Sequence, residues 1–271
     1  MPELPEVETV VRQIRPSVTG RTVQSVIVTD GGLRMIAPLS RDQLADNLTG
    51  DTITSLERTG KFMQFRLRSG AFIAAHLRMS GRVSVSESFE QTKHNRIGLF
   101  LDKGVFNFHS IRRFSTFHYV EAGGSYPAFD LLGPDALSDA FSGSYLIDKL
   151  KQSKRPVYSA LMDQRTVAGL GNIYVNEVLY AAGVHPLREA RLVTKSEAEA
   201  IASESRRILI QAIRLRGTTL NDRTYLDGSG EYGAFSDHLN VYGKTGQIVD
   251  GSPVERIRIG GRSVFAATSQ H

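Results

Sequence analysis

In PEVETVVRQIRP, Val7, Val10, Val11 and Ile14 recur at spacings of three and four, the apolar stripe of one amphipathic helix ended by Pro16 and Gly20. Beyond it the period shortens to two. The stretches TVQSVIVTD, KFMQFRLRSG, AFIAAHLRMSG, RVSVSES, RIGLFLD and VFNFHS read as short strands. In the second of these Met63, Phe65 and Leu67 share one face while Gln64, Arg66 and Arg68 share the other. Ser69-Gly70 and Asp102-Lys103-Gly104 supply turns between strands. Short strands at this spacing predict an antiparallel β-sandwich over residues 1–120.

The texture changes at EAGGSYPAFDLLGPDALS, a Gly/Pro/Ser-rich stretch read as a linker over 121–138. Four helical patterns follow: FSGSYLIDKLKQS, PVYSALMDQ, IYVNEVLYAAG and SEAEAIASESRRILIQAIRLRG. The last is predicted to open with a capping box of Ser196 and Glu199 and to close at Gly217. The polar, Gly-rich segment after it is too long for a simple connection, and such loops are functional lids or disordered. Near the end, ERIRIGGRSVF has a two-residue Gly-Gly turn between alternating runs, a strong hairpin signal. The domains read as 1–120, a linker over 121–138, a helical domain over 139–236 and a hairpin module over 237–271.

Composition narrows the chemistry. The chain has 271 residues, 41% hydrophobic and 23% charged, and a formal charge of +5 from 33 Lys+Arg against 28 Asp+Glu. The excess permits a polyanionic partner without requiring one. Arg58, Lys61, Arg66, Arg68, Arg78 and Arg82 recur through one segment and Arg256, Arg258 and Arg262 through another. Both runs fall on predicted hairpins, where they serve either a polyanion or the solubility of exposed strand faces. There is no cysteine, which excludes disulfides, thiol catalysis, iron–sulfur clusters and thiolate zinc sites together. Seven histidines are present, none spaced i,i+4 on a predicted helix. No run approaches the length of a membrane span, and the acidic start is unlike a signal or transit peptide. A cytoplasmic or nucleoid location is expected in a bacterium, a nuclear one in a eukaryote, and secretion is not expected.

Three stretches could carry chemistry. In GLGNIYVNEVL, glycines and Asn172 stand at a helix start, where backbone amides bind phosphate oxygens; a helical corner with an Asn cap gives the same pattern. In HSIRRFS, Arg112 and Arg113 point to opposite faces of a strand and Phe114 follows. An aromatic ring beside a guanidinium suits insertion into a duplex, and equally suits a core Phe beside solvated arginines. Met79 in HLRMSG divides between core filler and wedge in the same way. In MPELPEVET, removal of Met1 would leave Pro2 with a secondary amine, and an α-amino group has a reference pKa of about 8. A helix N-terminus lowers it further. Such an amine can attack an electrophilic carbon to form an iminium, with Glu3 moving protons and Lys61 donating to a leaving or phosphate oxygen. The alternative is that Pro2 and Pro5 stiffen a helix start, with the acidic residues complementing its dipole.

Together MPELPEVET, HLRMSG, IRRFS, LMDQRTVAGLGNIYVNEVLYAAGVHP and RGTTL…VYGKTG resemble the formamidopyrimidine-DNA glycosylase/endonuclease VIII family over nearly the whole chain. Leu4 is similar to the formamidopyrimidine branch, since the endonuclease VIII branch typically has Gly there. The resemblance implies an α+β protein of two lobes. One is an N-terminal antiparallel β-sandwich with a catalytic N-terminal helix; the other is a helix–two-turn–helix domain followed by a β-hairpin finger. It implies a bifunctional DNA glycosylase/AP lyase that flips a damaged base from duplex DNA, cleaves its glycosidic bond and nicks by β,δ-elimination. Flipping is required because neither the sugar carbon nor the lesion edge is reachable in the stack. Carried onto this chain, Pro2 is the nucleophile, Glu3 the acid/base and Lys61 a catalytic, phosphate-contacting lysine. Met79, Arg112 and Phe114 fill the void, with Arg112, next to Arg113, facing the orphaned base. Asn172 binds phosphate, and residues near 218–236 cap the lesion.

The chain also departs from the family pattern. Most members carry a four-cysteine zinc finger; here Ala266 and Ser269 stand where its last pair would. RIRIGGRSVF persists, with Arg262 at the position of the finger's DNA-binding arginine and counted with Pro2, Glu3 and Lys61 among the expected catalytic residues, so a zincless finger is expected and no cofactor. Structural zinc in small peptides contributes ~10–16 kcal/mol. Burial of Ile257, Ile259, Val264 and Phe265 at ~1.5–3 kcal/mol each offsets much of that. Arg155 replaces the usual Lys, Arg78 the usual Gly before Met79, and SIRRFS the usual DPRRFG. These bear on lesion preference. The expectation is a monomer acting on duplex DNA containing oxidised or ring-opened purines or an abasic site. The rivals are a relative preferring oxidised pyrimidines or hydantoins, and a non-catalytic damage-binding protein.

Overall fold

A computed structural model of the chain describes residues 2–220 and 225–271. Whether Met1 is removed, and part of the expected lesion-capping segment, lie outside the described residues. Helix α1 (Leu4–Val18) opens the fold and β1 (Val23–Val28) follows. Two short helices, α2 (Leu33–Ile36) and α3 (Arg41–Leu48), precede a run of strands. These are β2 (Ile53–Thr59), β3 (Phe62–Leu67), β4 (Phe72–His76), β5 (Gly81–Ser86), β6 (Asn95–Leu101), β7 (Val105–Ser110) and β8 (Thr116–Val120). Helices α4 (Pro127–Asp130), α5 (Gly143–Leu150), α6 (Val157–Met162), α7 (Asn172–Ala181) and α8 (Lys195–Arg214) come next. The chain then forms β9 (Ile248–Val249), β10 (Ser252–Ile259) and β11 (Arg262–Ala267).

The strands make two antiparallel four-stranded sheets, ordered β1-β6-β7-β5 and β2-β3-β4-β8. Their inner faces meet through aromatic rings. Phe65 of one sheet lies 5.3 Å from Phe106 of the other, and Phe108 lies 6.1 Å from Phe117. The α1 stripe, fully buried at Val7 and Val11, joins the same core. This is the expected sandwich with its N-terminal helix, followed by a helical domain.

Several local expectations change. Helix α1 runs through Pro16 to Val18. Val18 extends the buried stripe from Ile14, and Pro16 lies on the exposed side of the last turn, where its missing donor costs little. Strand β2 escaped the period-two reading because a register shift between Ile53 and Ser55 breaks its alternation, leaving Ile53 and Leu56 buried three apart. The capping box of α8 uses Thr194 and Glu197, not Ser196 and Glu199. Glu197 accepts from the Thr194 amide at 2.8 Å, and Thr194 Oγ1 accepts from the Glu197 amide at 3.3 Å. TKSEAE holds the motif in two overlapping registers, and the ion pair of Glu197 with Arg188 favours the earlier one.

The chain divides into two compact units, Met1–Asp130 with Leu215–Ala234, and Leu131–Arg214 with Phe235–His271. The stretch read as a linker is therefore shared between them. In the first unit Phe129 lies 5.2 Å from Phe62 and stacks on Phe72 at 5.8 Å. In the second, Asp135 bridges to Ala168. Residues 215–220 and 225–234 belong with the sandwich and not with the helices to which the sequence assigned them.

Candidate active site

The start of α1 is built on carboxylates. Glu3 is its N-cap, and Glu6 reaches back to accept from the Glu3 amide at 2.8 Å. The same Glu6 side chain accepts from the Thr218 amide at 2.7 Å. Gly217 has φ +84°, and a Cβ there would sit 2.9 Å from Glu6 Oε1, so the approach needs glycine. Tyr225 donates to Arg216 O at 3.1 Å; burial, with Glu6 and Asp227 nearby, pushes its hydroxyl pKa up and keeps it a donor. Farther along, Gln13 grips the same segment: its Nε2 donates to Asp227 at 2.8 Å and its Oε1 accepts from the Gly228 amide at 2.7 Å. Glu6 thus supports the site. Glu8 has a separate task, pairing with Arg12 at 2.6 Å and Arg58 at 2.8 Å. Burial opposes its charge, but the two guanidiniums outweigh it and hold its carboxyl below the usual range.

Pro2 and Glu3 are both buried. Arg58 also donates to Gly60 O at 2.9 Å, fixing the β2–β3 turn from which Lys61 projects. Lys61 is buried, so Arg58 and Lys61 are not solubilising charges on an exposed strand face. Opposite Phe62 on β4 stands His76, buried and with its ring 4.6 Å edge-on from that of Phe62. Its Nδ1 accepts from the Arg78 amide at 2.9 Å, which leaves the ring proton on Nε2. Burial, with Arg78 and Lys61 nearby, lowers its pKa to about 3. His76 is a neutral donor that sequence reasoning passed over. Its only signal was its place in HLRMSG, two residues before Arg78.

Met79, Arg112, Arg113 and Phe114 are all exposed. The Arg112 guanidinium lies 3.5 Å from Met79 Sδ, and the Phe114 ring carries Arg34 above it at 5.9 Å. Residues 111–113 form a bend, with Arg113 at φ +57°, so the expectation that the arginines alternate along a strand is corrected. Met79 and Phe114 are not core fillers: they are 43% and 51% exposed, which suits a wedge.

The remaining candidates belong to the second unit. Gly171 is the N-cap of α7 and Asn172 its first residue, so Asn172 is not a cap. The turn before it is held by Asp163, which binds Arg165 and Arg155, each at 3.1 Å. Hydrogen bonds from Arg165, against the effect of burial and aided by Arg155, lower the Asp163 pKa to about 2. Asn172 Nδ2 donates to Ser263 O at 3.2 Å, and its Oδ1 accepts from Tyr158 at 2.6 Å. Arg262 opens β11 beside the Gly260-Gly261 turn, whose φ values of +56° and +78° are those a two-residue hairpin requires. The hairpin base is apolar. Val254, Phe265 and Ala267 cluster with Val241, and Phe265 meets Tyr242 at 5.0 Å. Ile257 is only half-buried, while Ile259, Val264 and Phe265 are buried as expected, and Val254 and Ala266 are buried with them. The residues here do not fit a thiolate zinc site. Ala266 has no donor atom, and among the described residues no group of three or more His, Asp or Glu is placed to hold a metal ion.

Residues 1–117 match the formamidopyrimidine-DNA glycosylase N-terminal domain, and residues 132–224 match the formamidopyrimidine-DNA glycosylase H2TH domain. A formamidopyrimidine-DNA glycosylase of an Exiguobacterium species is 38% identical over 97% of this chain and 96% of its own. The crystal structure of the MutM (Fpg) protein of Thermus thermophilus is similar with a TM-score of 0.88, at 37% identity, over 99% of this chain and 98% of that one. A Lactococcus lactis Fpg mutant, crystallised with a Fapy-dG containing DNA, gives a TM-score of 0.91 at 30% identity over the whole of both chains. An α+β fold that opens on a buried Pro-Glu pair and continues into a helix–two-turn–helix domain defines a class of base-excision DNA glycosylases. This chain belongs to the formamidopyrimidine-DNA glycosylase family.

Proposed function

We propose that this DNA glycosylase is also an AP lyase, excising oxidised or ring-opened purines from duplex DNA as a monomer. The amine of Pro2, freed by loss of Met1, attacks C1′ of the flipped nucleotide. The C1′–N bond breaks and the base leaves with a proton; the C1′–O4′ bond then opens, O4′ takes a proton, and an iminium forms between C1′ and the Pro2 nitrogen. Glu3 moves protons at the sugar, and loss of the 3′ and then the 5′ phosphate gives β,δ-elimination. Lys61 and neutral His76 donate to phosphate oxygens, as do Asn172 and Arg262 on the other unit. Arg155 and Arg113 add charge to the DNA-facing surface, whose hold weakens with salt. Met79, Arg112 and Phe114 occupy the gap left by the base.

The observation that carries the reading is the contrast within the first unit. Pro2, Glu3, Lys61 and His76 are buried, while Met79, Arg112 and Phe114 are held out to solvent. A polar centre sheltered from water suits chemistry on a nucleotide brought to it, and exposed apolar side chains suit insertion into a stack. Borohydride trapping on abasic-site DNA tests the mechanism. Wild type is expected to give a covalent complex, and protein that still carries Met1, whose Pro2 nitrogen is an amide, none; equal trapping by both would remove the Pro2 amine from the mechanism. Intact mass decides whether Met1 is lost, and release of defined lesions from duplexes separates purine from pyrimidine preference.

A further inference from the structure

We infer that Ser80, Ser110 and Ser115 are positioning residues that lock the Met79 loop and the Arg112–Phe114 loop into one unit and thereby set discrimination of the base opposite the lesion. The inference rests on the reading that Met79, Arg112 and Phe114 fill the gap in the duplex.

Topology places the two loops side by side. The segment 77–80 carries the chain from β4 in one sheet to β5 in the other, and 111–115 carries it back from β7 to β8. β4 pairs with β8 and β5 with β7, so both crossovers leave the sandwich at the same edge. Backbone groups in a crossover have left the sheet ladder and need other partners. Serine hydroxyls provide them. Ser115 Oγ donates to Leu77 O at 2.9 Å, and Ser110 Oγ lies 2.9 Å from Ser115 Oγ. At the other end Ser80 Oγ accepts from the Arg112 amide at 3.2 Å. All three serines are buried, Ser110 completely. Gly81 makes room, since a Cβ there would lie 2.4 Å from Leu77 O and 2.7 Å from Ser115 Oγ. Beneath them Arg96 donates through Nε to Ser110 O at 3.0 Å, holding the root of the second loop.

The bonds bracket the exposed groups. Leu77 and Ser80 flank Met79, and Ser110 and Ser115 flank Arg112 and Phe114. With both pairs joined, the methionine, the guanidinium and the ring enter DNA with fixed relative placement, so little ordering entropy is lost on insertion. Ser110 and Ser115 are the two ends of SIRRFS, the stretch in which this chain departs from DPRRFG. Two of the altered residues, Ser110 and Ser115, are thus two of the three serines of the staple.

Ser115→Ala removes the hydroxyl that reaches Leu77 O. Ser110→Ala leaves that bond standing. Single-turnover excision of a ring-opened purine is therefore expected to fall about tenfold in Ser115→Ala and about threefold in Ser110→Ala. The rate ratio between lesions opposite cytosine and opposite adenine should shrink toward one. Nicking of a preformed abasic site, which has no pair to break, should change less than threefold. A merely structural defect would lower both reactions alike and leave the ratio unmoved, and that result overturns the inference. Ser80→Ala attacks the other end of the staple and serves if Ser115→Ala does not fold. Met79→Ala and Phe114→Ala test the underlying reading. If both excise like wild type, the gap-filling reading fails and this inference with it; if both lose excision while the serine variants do not, only the staple is refuted.

Discussion

The two units present their proposed DNA contacts by opposite physical means. In the sandwich unit the site is a set of buried polar groups, Glu3, Glu6, Lys61 and His76, each of which costs free energy unless partnered. Glu6 accepts from two backbone amides for this reason. In the finger the exposed arginines Arg256, Arg258 and Arg262 stand on a hairpin whose base is apolar. The first design fixes geometry through directional bonds and is sensitive to proton concentration. The second fixes it through packing and a few buried polar groups, among them Glu177, which accepts from the Asn240, Val241 and Tyr242 amides, and its stability should respond to volume and not to metal.

The largest effect is expected from the finger's packing. Phe265→Ala leaves a cavity against Tyr242 and Val254 and should cost ~3–5 kcal/mol, read by denaturant unfolding. DNA affinity should fall with it, because Arg262 loses its support. A chelator should leave the wild-type curve in place; unfolding on chelation would break the contrast drawn above.

Next comes the polar seam that keys the hairpin to α7. Asn176, fully buried, accepts from the Phe265 amide at 2.6 Å and donates to Asn172 O. Asn176→Ala should cost ~1–3 kcal/mol, since the Phe265 amide is left buried without an acceptor. Faster hydrogen exchange at Phe265 than at Val264 would locate the loss. Asn176→Asp keeps the acceptor and should fall between alanine and wild type.

A smaller pair of changes should move in opposite directions. Gly261→Ala forces a side chain into φ +78° and should destabilise by ~1 kcal/mol. Arg113→Gly relieves a residue held at φ +57° and should stabilise by ~1 kcal/mol while weakening DNA binding. If Arg113→Gly is destabilising, the strain assigned to that loop is absent.

How much of this was legible in the sequence follows from the range of the interactions. The α1 stripe and the Gly260-Gly261 turn were readable because their determinants lie within a few residues. The β2 strand was not, because a bulge erases its period, and the α8 cap was misplaced because two registers of one motif overlap. MPELPEVET and GLGNIY pointed to the right helix starts, but not to what holds them. Asn172 reaches Ser263 across 91 positions and Thr218 reaches Glu6 across 212. Only tertiary structure reveals such partners, and the same is true of His76.

His76 gives the most graded test of the contrast. Burial holds its folded pKa at about 3, against an ordinary value of 6.5 for an unfolded chain. Between those values the unfolded chain binds a proton that the folded one refuses, so stability rises with pH through this window. The contribution is fully present above pH 6.5 and is lost as pH falls toward 3. His109 and His118 of the same unit are also held below their ordinary values, both first by burial, and add slope of the same sign. His185 does so in the other unit, but no finger residue from 240 to 267 is a histidine. Acidification from pH 7 to 5 should therefore weaken amide protection in β3 and β4 while sparing β10 and β11. His76→Gln, which can still accept from the Arg78 amide, should reduce the pH slope of unfolding by up to one proton, about 1.4 kcal/mol per pH unit. An unchanged slope would mean that His76 is charged in the folded protein, and the neutral Nε2 donor assigned to it would be withdrawn.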